Sequence, residues 1–266
     1  MTVSESPAGD ADDALLETRG LTKSFGGVTA VADVDLMVRR GQLNAVVGPN
    51  GAGKTTLFHL LTGTMPATAG HVIFEGEDIT RTGLSARVKL GIARSYQKTN
   101  IFPRLSVRQN ILAAAYRAKG VGWTSMFGRR KEVEAAEALA DRILGELDLA
   151  DQAHKEAQTL PYGAQRLIDI GIALACEPSL LLLDEPTSGL SSGELQKTIA
   201  FISDLKSRYS ILLIEHNMDL VLEFADGITV LNFGHVIARG NAAEISADEG
   251  VQEAYFGRSV SPEGVA

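Results

Sequence analysis

Residues 48–55 read Gly48-Pro-Asn-Gly-Ala-Gly53-Lys54-Thr55, and they fit the pattern G-x-x-x-x-G-K-[ST]. The segment follows an apolar run, Leu43–Val47, that is typical of a buried strand, and it precedes a helical pattern over Lys54–Leu61. A strand, a glycine-rich loop and a helix in this order form the context in which the pattern binds phosphate. The alternative is a glycine-rich turn that merely begins a helix, and the two flanking elements argue against it.

The residue types of this loop suit a nucleotide. Glycines allow backbone N–H groups to close around phosphate oxygens, and the N-terminus of the following helix adds a partial positive charge. Lys54 supplies a full positive charge near the β and γ phosphates, and the hydroxyl of Thr55 is placed to bind Mg²⁺. The loop therefore predicts a site for a nucleoside triphosphate and its magnesium ion.

A second group of candidate residues follows an apolar run later in the chain. Leu180–Leu183 is followed at once by Asp184, Glu185 and a proline, which is how a buried strand delivers carboxylates to the ligand-binding edge of a parallel sheet. Asp184 would then reach Mg²⁺, directly or through water, and Glu185 would orient or deprotonate the attacking water. A solvated strand end before a proline turn is the alternative.

Polar residues also follow the apolar run Ile211–Ile214. They are Glu215, His216 and Asn217, and His216 is a candidate to contact the γ phosphate and hold the attacking water. A structural histidine is the alternative at this position. Gln97 gives little signal by itself, because a single glutamine before a loop is usually surface.

The composition limits the classes of protein to which the chain can belong. It has 266 residues, 45% of them hydrophobic, enough for a sizeable core in one large domain or two lobes. Lys and Arg number 25 against 33 Asp and Glu, a net charge of −8, and no basic cluster indicates nucleic-acid binding. Apolar runs such as Leu180–Leu183 and Ile211–Ile214 have four residues, far fewer than the roughly 20 of a membrane-crossing helix. The single cysteine and the acidic start of the chain predict a cytosolic protein.

Strand and helix patterns predict an α/β fold with an inserted helical part. Residues 1–14 and 258–266 are predicted to be tails around an ordered domain at 15–257, in which helical spacing occupies about 98–177. The predicted strands are Leu36–Val38, Leu43–Val47, His71–Phe74, Leu180–Leu183, Ile211–Ile214 and Ile228–Leu231. The predicted helices are Lys54–Leu61, Val107–Tyr116, Glu132–Leu147 and Gln165–Ala175.

Taken together and in this order, the motifs resemble the ATP-binding subunits of ABC transporters over about residues 15–257. The segment Leu160-Pro-Tyr-Gly163-Ala-Gln165 stands at the signature position, and Ser188-Gly-Leu-Ser191 stands at the D-loop. The resemblance implies a P-loop NTPase core with a β-rich N-terminal part and an inserted helical subdomain, and ATP and Mg²⁺ as cofactors. It implies that the nucleotide contacts Phe25, stacked on adenine, and Asn50, Gly51, Ala52, Gly53, Lys54, Thr55, Thr56 and, from a paired subunit, Gly163. It also implies catalytic roles for Glu185, His216 and Gln97, and metal binding by Thr55, Gln97 and Asp184.

The signature segment departs from the family pattern Leu-Ser-Gly-Gly-Gln. Pro161 removes a hydroxyl and Ala164 removes an amide side chain, so hydrogen bonds from those side chains to the γ phosphate are lost. Backbone N–H groups around Gly163 and at the N-terminus of a helix from Gln165 onward are expected to attract the phosphate in their place. Ser191 stands where the D-loop of the family usually has Asp.

Within the family, the chain looks most like the larger ATP-binding subunit of branched-chain amino-acid uptake systems. The passages that carry this likeness are residues 100–110, the insertion ending at 128–131, residues 212–220 and residues 251–257. The resemblance implies a second ATP-binding subunit, identical or homologous, a membrane permease and, indirectly, a solute-binding protein outside the cell. It also implies that the chain lies at the cytoplasmic face of the membrane and binds no nucleic acid. Uptake of urea or short amides, export of lipid or lipopolysaccharide, and a soluble ABC-type nucleotide switch are the alternatives.

Overall fold

The structure is a computed structural model, and it describes residues 13–96, 99–121 and 130–256. The predicted tails therefore lie almost entirely outside the described residues, and so does Gln97. The strands are β1 Ala14–Phe25, β2 Val28–Arg39, β3 Leu43–Val47, β4 Ala69–Phe74, β5 Glu77–Asp78, β6 Ile92–Arg94, β7 Leu180–Asp184, β8 Ser210–Glu215, β9 Gly227–Asn232 and β10 His235–Gly240. The helices are α1 Lys54–Leu61, α2 Leu84–Lys89, α3 Val107–Ala118, α4 Arg130–Glu146, α5 Tyr162–Leu174, α6 Ser192–Leu205, α7 Met218–Phe224, α8 Ala242–Ala247 and α9 Glu249–Phe256.

A six-stranded sheet carries the residues predicted to act on the nucleotide. Its order is β10-β9-β3-β8-β7-β6, and all neighbours are parallel except β10, which runs antiparallel to β9. In the register of the sheet, Val47 lies opposite Glu215, and Asp184 lies opposite Ile214. The ends of β3, β8 and β7 therefore lie side by side at the carboxyl edge, where ligands of parallel sheets bind.

A second sheet is antiparallel and has the order β2-β1-β4-β5. Its long strands β1 and β2 pair from Ala14 opposite Arg39 to Phe25 opposite Val28, with several register shifts between. Strand β2 also lies beside β10 of the first sheet, where the Arg239 guanidinium donates to the carbonyl of Asp35. The two sheets thus meet along one pair of their edges.

Two hydrophobic cores lie on opposite faces of the six-stranded sheet, and β7 contributes to both. Leu180 and Leu182 belong to the core shared with the antiparallel sheet and α1, whereas Leu181 and Leu183 belong to the core shared with α3, α4 and α5. Successive side chains of a strand point to opposite faces, so a strand covered on both sides is apolar throughout. This double coverage explains the uninterrupted leucines before Asp184.

The helical part packs through α3, which contacts both α4 and α5. Helix α3 begins with a capping box in which the Ser106 side chain accepts from the Gln109 N–H and the Gln109 side chain accepts from the Ser106 N–H. Helix α5 begins at Tyr162, three residues before the predicted start at Gln165, so the prediction for this boundary was wrong. None of the described helices has the combination of length and apolar character that crossing a membrane requires.

A buried arginine in α2 forms hydrogen bonds that connect the end of α1 with the segment directly after β5. Arg87 is 1% exposed, and its Nη1 lies 2.7 Å from the carbonyl oxygens of both Leu60 and Leu61. Its Nη2 donates to the Ile79 carbonyl at 2.7 Å. The last carbonyls of a helix have no partner within the helix, and this guanidinium supplies one. Burial lowers the pKa of Arg87 to about 10, so the side chain stays charged at neutral pH.

We expect Arg87→Met to destabilise the protein by about 3–5 kcal/mol, because several buried carbonyl groups lose a charged donor at once. Urea unfolding followed by circular dichroism measures this free energy. Arg19→Met is the matched control, since Arg19 pairs with Glu17 at the exposed surface, where an ion pair contributes less than about 1 kcal/mol. Equal stability losses in the two variants would contradict the role assigned to Arg87.

Candidate functional site

The loop between β3 and α1 has no room for a side chain at two of its glycines. Gly53 precedes α1 with φ 101°, and a Cβ atom there would lie 2.2 Å from the carbonyl oxygen of Ala30. A Cβ atom at Gly48 would lie 2.2 Å from the carbonyl oxygen of Leu231. The loop is thus packed against β2 and β9 from behind, while Gly51 and its neighbour Asn50 are exposed.

Lys54 begins α1 and is 6% exposed. Its Nζ donates to the carbonyl oxygens of Gly48 at 2.6 Å and Pro49 at 3.0 Å, so the side chain folds back over the loop. Burial lowers the pKa of Lys54, and the carboxylates of Glu185, Glu215 and Asp184 oppose this shift. The carboxylates that end or follow β7 and β8 therefore act on the charge of Lys54.

Two threonines lie in the first turn of α1. Thr55 is exposed and Thr56 is half-buried. Gly53 offers no side chain to cap this helix, so the first N–H groups of α1 face the loop without a capping oxygen from that residue. The N-terminus of a helix with free N–H groups attracts anions, and phosphate is a common one.

Asp184 ends β7 with its side chain buried. Its Oδ2 lies 2.5 Å from Nη2 of Arg94, which ends the neighbouring strand β6. The guanidinium of Arg94 also lies over the rings of Phe58 and Tyr96, with its central carbon 5.6 and 5.1 Å from the ring centroids. Arg94 was not predicted from the sequence, although a charged residue directly after the apolar pair 92–93 is a signal for a buried ion pair.

Glu185 follows β7 and is half-buried. Its φ of 45° lies in the left-handed region, which costs a residue with a side chain roughly 1–2 kcal/mol. The N–H of Glu185 donates to the Ile214 carbonyl at 2.9 Å, so β8 holds this peptide at the edge of the sheet. Backbone strain of this kind is concentrated at functional sites.

Glu215 ends β8 and is fully buried. Its carboxylate accepts from the Thr187 N–H at 3.2 Å and from the Thr187 hydroxyl, and burial raises the pKa of Glu215. His216 follows with an exposed side chain whose Nδ1 lies 3.7 Å from Oε2 of Glu215. Glu215 therefore contacts both Thr187, two residues after Glu185, and His216, the predicted catalytic histidine.

Phe25 and Gly163 lie on elements outside the carboxyl edge. Phe25 ends β1, is 48% exposed and has Nζ of Lys23 at 5.2 Å from its ring centroid. Gly163 lies in the first turn of α5, and its N–H donates to Oε1 of Glu194 in α6 at 2.9 Å. The N–H predicted to attract a phosphate therefore already has a carboxylate partner within this chain.

The residues present fit a nucleotide and a magnesium ion. The loop offers exposed backbone and a buried lysine, and it packs so closely at Gly48 and Gly53 that no Cβ atom would fit there. Thr55 and Asp184 carry the oxygen donors that Mg²⁺ prefers. The positions of Gly51 to Thr56, Asp184, Glu185 and His216 agree with one site, whereas the assignment of these roles stays a prediction.

Comparison with known proteins agrees with this geometry. Residues 31–188 match the family described as ABC transporter, and residues 235–261 match the one described as branched-chain amino acid ATP-binding cassette transporter. The high-affinity branched-chain amino acid transport ATP-binding protein BraF of Pseudomonas aeruginosa is 38% identical, over 92% of this chain and 98% of BraF. The corresponding protein LivG of Salmonella typhimurium is 34% identical, again over 92% and 98%.

A solved structure gives the same result for the fold. The ADP conformation of MJ1267, an ATP-binding cassette of an ABC transporter, superposes with a TM-score of 0.80 at 30% identity, covering 92% of this chain and 99% of that one. The predicted fold, a P-loop NTPase core of the ABC type, is thereby confirmed. The chain belongs to the ABC transporter family of ATP-binding proteins.

Proposed function

We propose that this chain hydrolyses ATP to power uptake of branched-chain or other hydrophobic amino acids through a separate membrane permease. The observation that carries the proposal is the convergence at one sheet edge of the Lys54 loop with Asp184 and Glu185. The names of the relatives, which align over nearly their whole length, and the match at residues 235–261 support the solute class.

The loop binds the triphosphate of ATP. Its backbone N–H groups and the N-terminus of α1 donate to the β and γ phosphates, and Lys54 places its charge beside them. Phe25 stacks on the adenine. Thr55, Asp184 and Gln97 would hold Mg²⁺, which when bound neutralises charge on the phosphates. Gln97 lies outside the described residues, so its part in this arrangement rests on the sequence.

Hydrolysis needs a water molecule in line with the γ phosphate. Glu185 accepts a hydrogen bond or a proton from that water, and the exposed side chain of His216 contacts the γ phosphate on the same edge. Lys54 stabilises the charge that develops on the transferring group. Glu185 and His216 directly follow β7 and β8, and Lys54 begins α1 after the loop that leaves β3, so all three are held at the same edge of the sheet.

A second ATP-binding subunit completes the site. Its signature segment would present backbone N–H groups to the γ phosphate, and in an identical subunit these include the N–H of Gly163 in the first turn of α5. Within one chain that N–H is bonded to Glu194. The Glu194 carboxylate must therefore move away when the phosphate of the other subunit's nucleotide binds there.

The permease would dock beside the helical part. A pocket of about 130 Å³ lies among α2, β6 and α5. It is lined mainly by apolar side chains, and two of the lining residues, Leu84 and Tyr96, are exposed. Leu90, directly after α2, is exposed as well. An apolar surface of this kind is suited to an amphipathic cytoplasmic segment of a membrane protein. This contact would hold the chain at the cytoplasmic face of the membrane.

Uptake by cells tests the proposed function. Deletion of the gene in the source organism is expected to abolish high-affinity uptake of labelled leucine, isoleucine and valine, and the wild-type gene restores it, whereas Glu185→Gln does not. If uptake of all three amino acids were unchanged and uptake of urea were lost, the transported solute would be urea instead of an amino acid. Unchanged uptake with accumulation of lipopolysaccharide at the inner membrane would indicate export instead.

A further inference from the structure

Arg166, in α5, is a buried charged residue whose two terminal nitrogens donate to backbone carbonyls, whereas its Nε has no hydrogen-bond partner among the described residues. It is 1% exposed, and its Nη2 donates to the carbonyl oxygens of Asp184 at 3.1 Å and Glu185 at 2.5 Å. Its Nη1 donates to the carbonyl of Tyr96. Burying a guanidinium is costly, and an apolar residue would fill the same space with less cost. The contacts therefore identify a role other than packing.

The hydrogen bonds of Arg166 fall on the backbone on either side of the strained residue Glu185. Glu185 has a left-handed backbone, its N–H donates to Ile214 of β8, and its carbonyl accepts from Arg166. The carbonyl of Asp184 accepts from the same nitrogen. With both sides of residue 185 bonded, its φ is fixed, and so is the direction in which its side chain leaves the backbone.

The same helix face also holds the segment that flanks residues 97 and 98. Asp169 lies one turn after Arg166, is 3% exposed, and accepts from the N–H of Tyr96 at 2.9 Å and of Asn100 at 3.1 Å. Tyr96 is therefore held at its N–H by Asp169 and at its carbonyl by Arg166. One turn of α5 thus sets the position of Glu185 relative to the residues before and after Gln97.

We propose that Arg166 is a positioning residue for ATP hydrolysis, which holds Glu185 in its left-handed conformation and so aims the carboxylate at the attacking water. The inference rests on the proposed function, in that Glu185 acts on that water. Arg166 itself contacts no reacting atom. Its loss lets the peptide at 185 relax to an ordinary conformation, which turns the carboxylate away while Lys54 and the loop stay in place.

Thermal unfolding tests the conformational part without any need for turnover. In the wild-type background, Glu185→Gly is expected to melt about 2–4 °C above Glu185→Ala, because glycine alone tolerates the left-handed region without strain. Both variants lack the carboxylate, so the difference reports the cost of a Cβ atom in this backbone conformation. In the Arg166→Met background the difference is expected to vanish or reverse. A difference that persists unchanged there would overturn the proposal.

Steady-state kinetics tests the catalytic part. Arg166→Met is expected to lower kcat for ATP about 100-fold while the Kd for MgATP, from titration with a fluorescent ATP analogue, changes less than about threefold. Arg142→Met, on the exposed side of α4, is the matched control. A kcat equal to that of the control, or a loss confined to binding, would overturn the proposal. If Arg166→Met does not fold, Arg166→Lys carries both tests, because one ammonium cannot span the carbonyls on two segments.

Failure of the inference is separable from failure of the proposed function. Full ATPase activity in Glu185→Gln would show that Glu185 takes no part in hydrolysis. The comparison of melting temperatures would still test whether Arg166 holds the backbone at residue 185. Normal activity in Arg166→Met, with Glu185→Gln inactive, would instead remove Arg166 alone.

Discussion

Glu185→Gln is expected to hydrolyse ATP about 1000-fold more slowly than the wild-type chain, because a general base or water-orienting carboxylate contributes a factor of this size. Glutamine has nearly the same shape and keeps one carbonyl oxygen, but it cannot accept a proton. The variant should bind MgATP at least as tightly as the wild type, since it removes one negative charge from the surroundings of Lys54 and the phosphates. Phosphate release and titration with a fluorescent ATP analogue measure the two quantities.

The matched control for this variant is Glu223→Gln, which makes the same chemical change at an exposed position of α7. It should hydrolyse ATP at the wild-type rate. Undiminished turnover in Glu185→Gln would exclude Glu185 from the reaction. Loss of binding together with turnover would show that the side chain supports the loop rather than the water.

Lys54→Ala is expected to weaken MgATP binding about 100-fold, a loss on the order of 3 kcal/mol, because it removes the one buried cation of the loop. The substitution also deprives the carbonyls of Gly48 and Pro49 of their donor, so the loop loses an internal support. Isothermal titration with ATP and Mg²⁺ measures the change in Kd.

Lys197→Ala, on the exposed side of α6, controls for the loss of a positive charge. It should leave the Kd unchanged. Lys54→Arg separates charge from shape, since the larger guanidinium keeps the charge but does not fit a site with so little exposed surface. Wild-type affinity in Lys54→Ala would contradict the phosphate-binding role of the loop.

Apolar runs that end in acids were sufficient to predict β7 and β8 from the sequence. The structure extends Leu180–Leu183 by one residue, to Asp184, and places Glu215 within β8. Their side chains are covered on both faces, so the hydrophobic signal is continuous and easy to detect. The same reasoning correctly predicted α1 over Lys54–Leu61, because its glycine loop marks the start.

Strand β1 was not predicted, because one of its faces is solvated. Its apolar residues alternate with Glu17, Arg19 and Lys23, and its pairing with β2 and β4 depends on residues far along the chain. The early start of α5 has a similar cause. Glu194, about thirty residues later, supplies the acceptor for the N–H of Gly163, and no local pattern contains that information.

Arg94, Arg166 and Asp169 were not identified as site residues from the sequence. Each is a charged residue within or beside an apolar run, which is a usable signal for a buried polar contact. The partners themselves were not predictable. Arg94 and Asp184 are 90 positions apart in the chain and meet only because β6 and β7 are neighbours in the sheet.

The borders of the two sheets have a consequence for how copies of this protein associate. Strands β5 and β6 are only two and three residues long, and the two longer outer strands, β2 and β10, lie against each other. Unpaired backbone groups along a sheet border are what allow chains to add to one another and form aggregates. Residues 13–96, 99–121 and 130–256 offer very few of them, so the protein is expected to resist aggregation at high concentration and to recognise other chains through side chains and nucleotide.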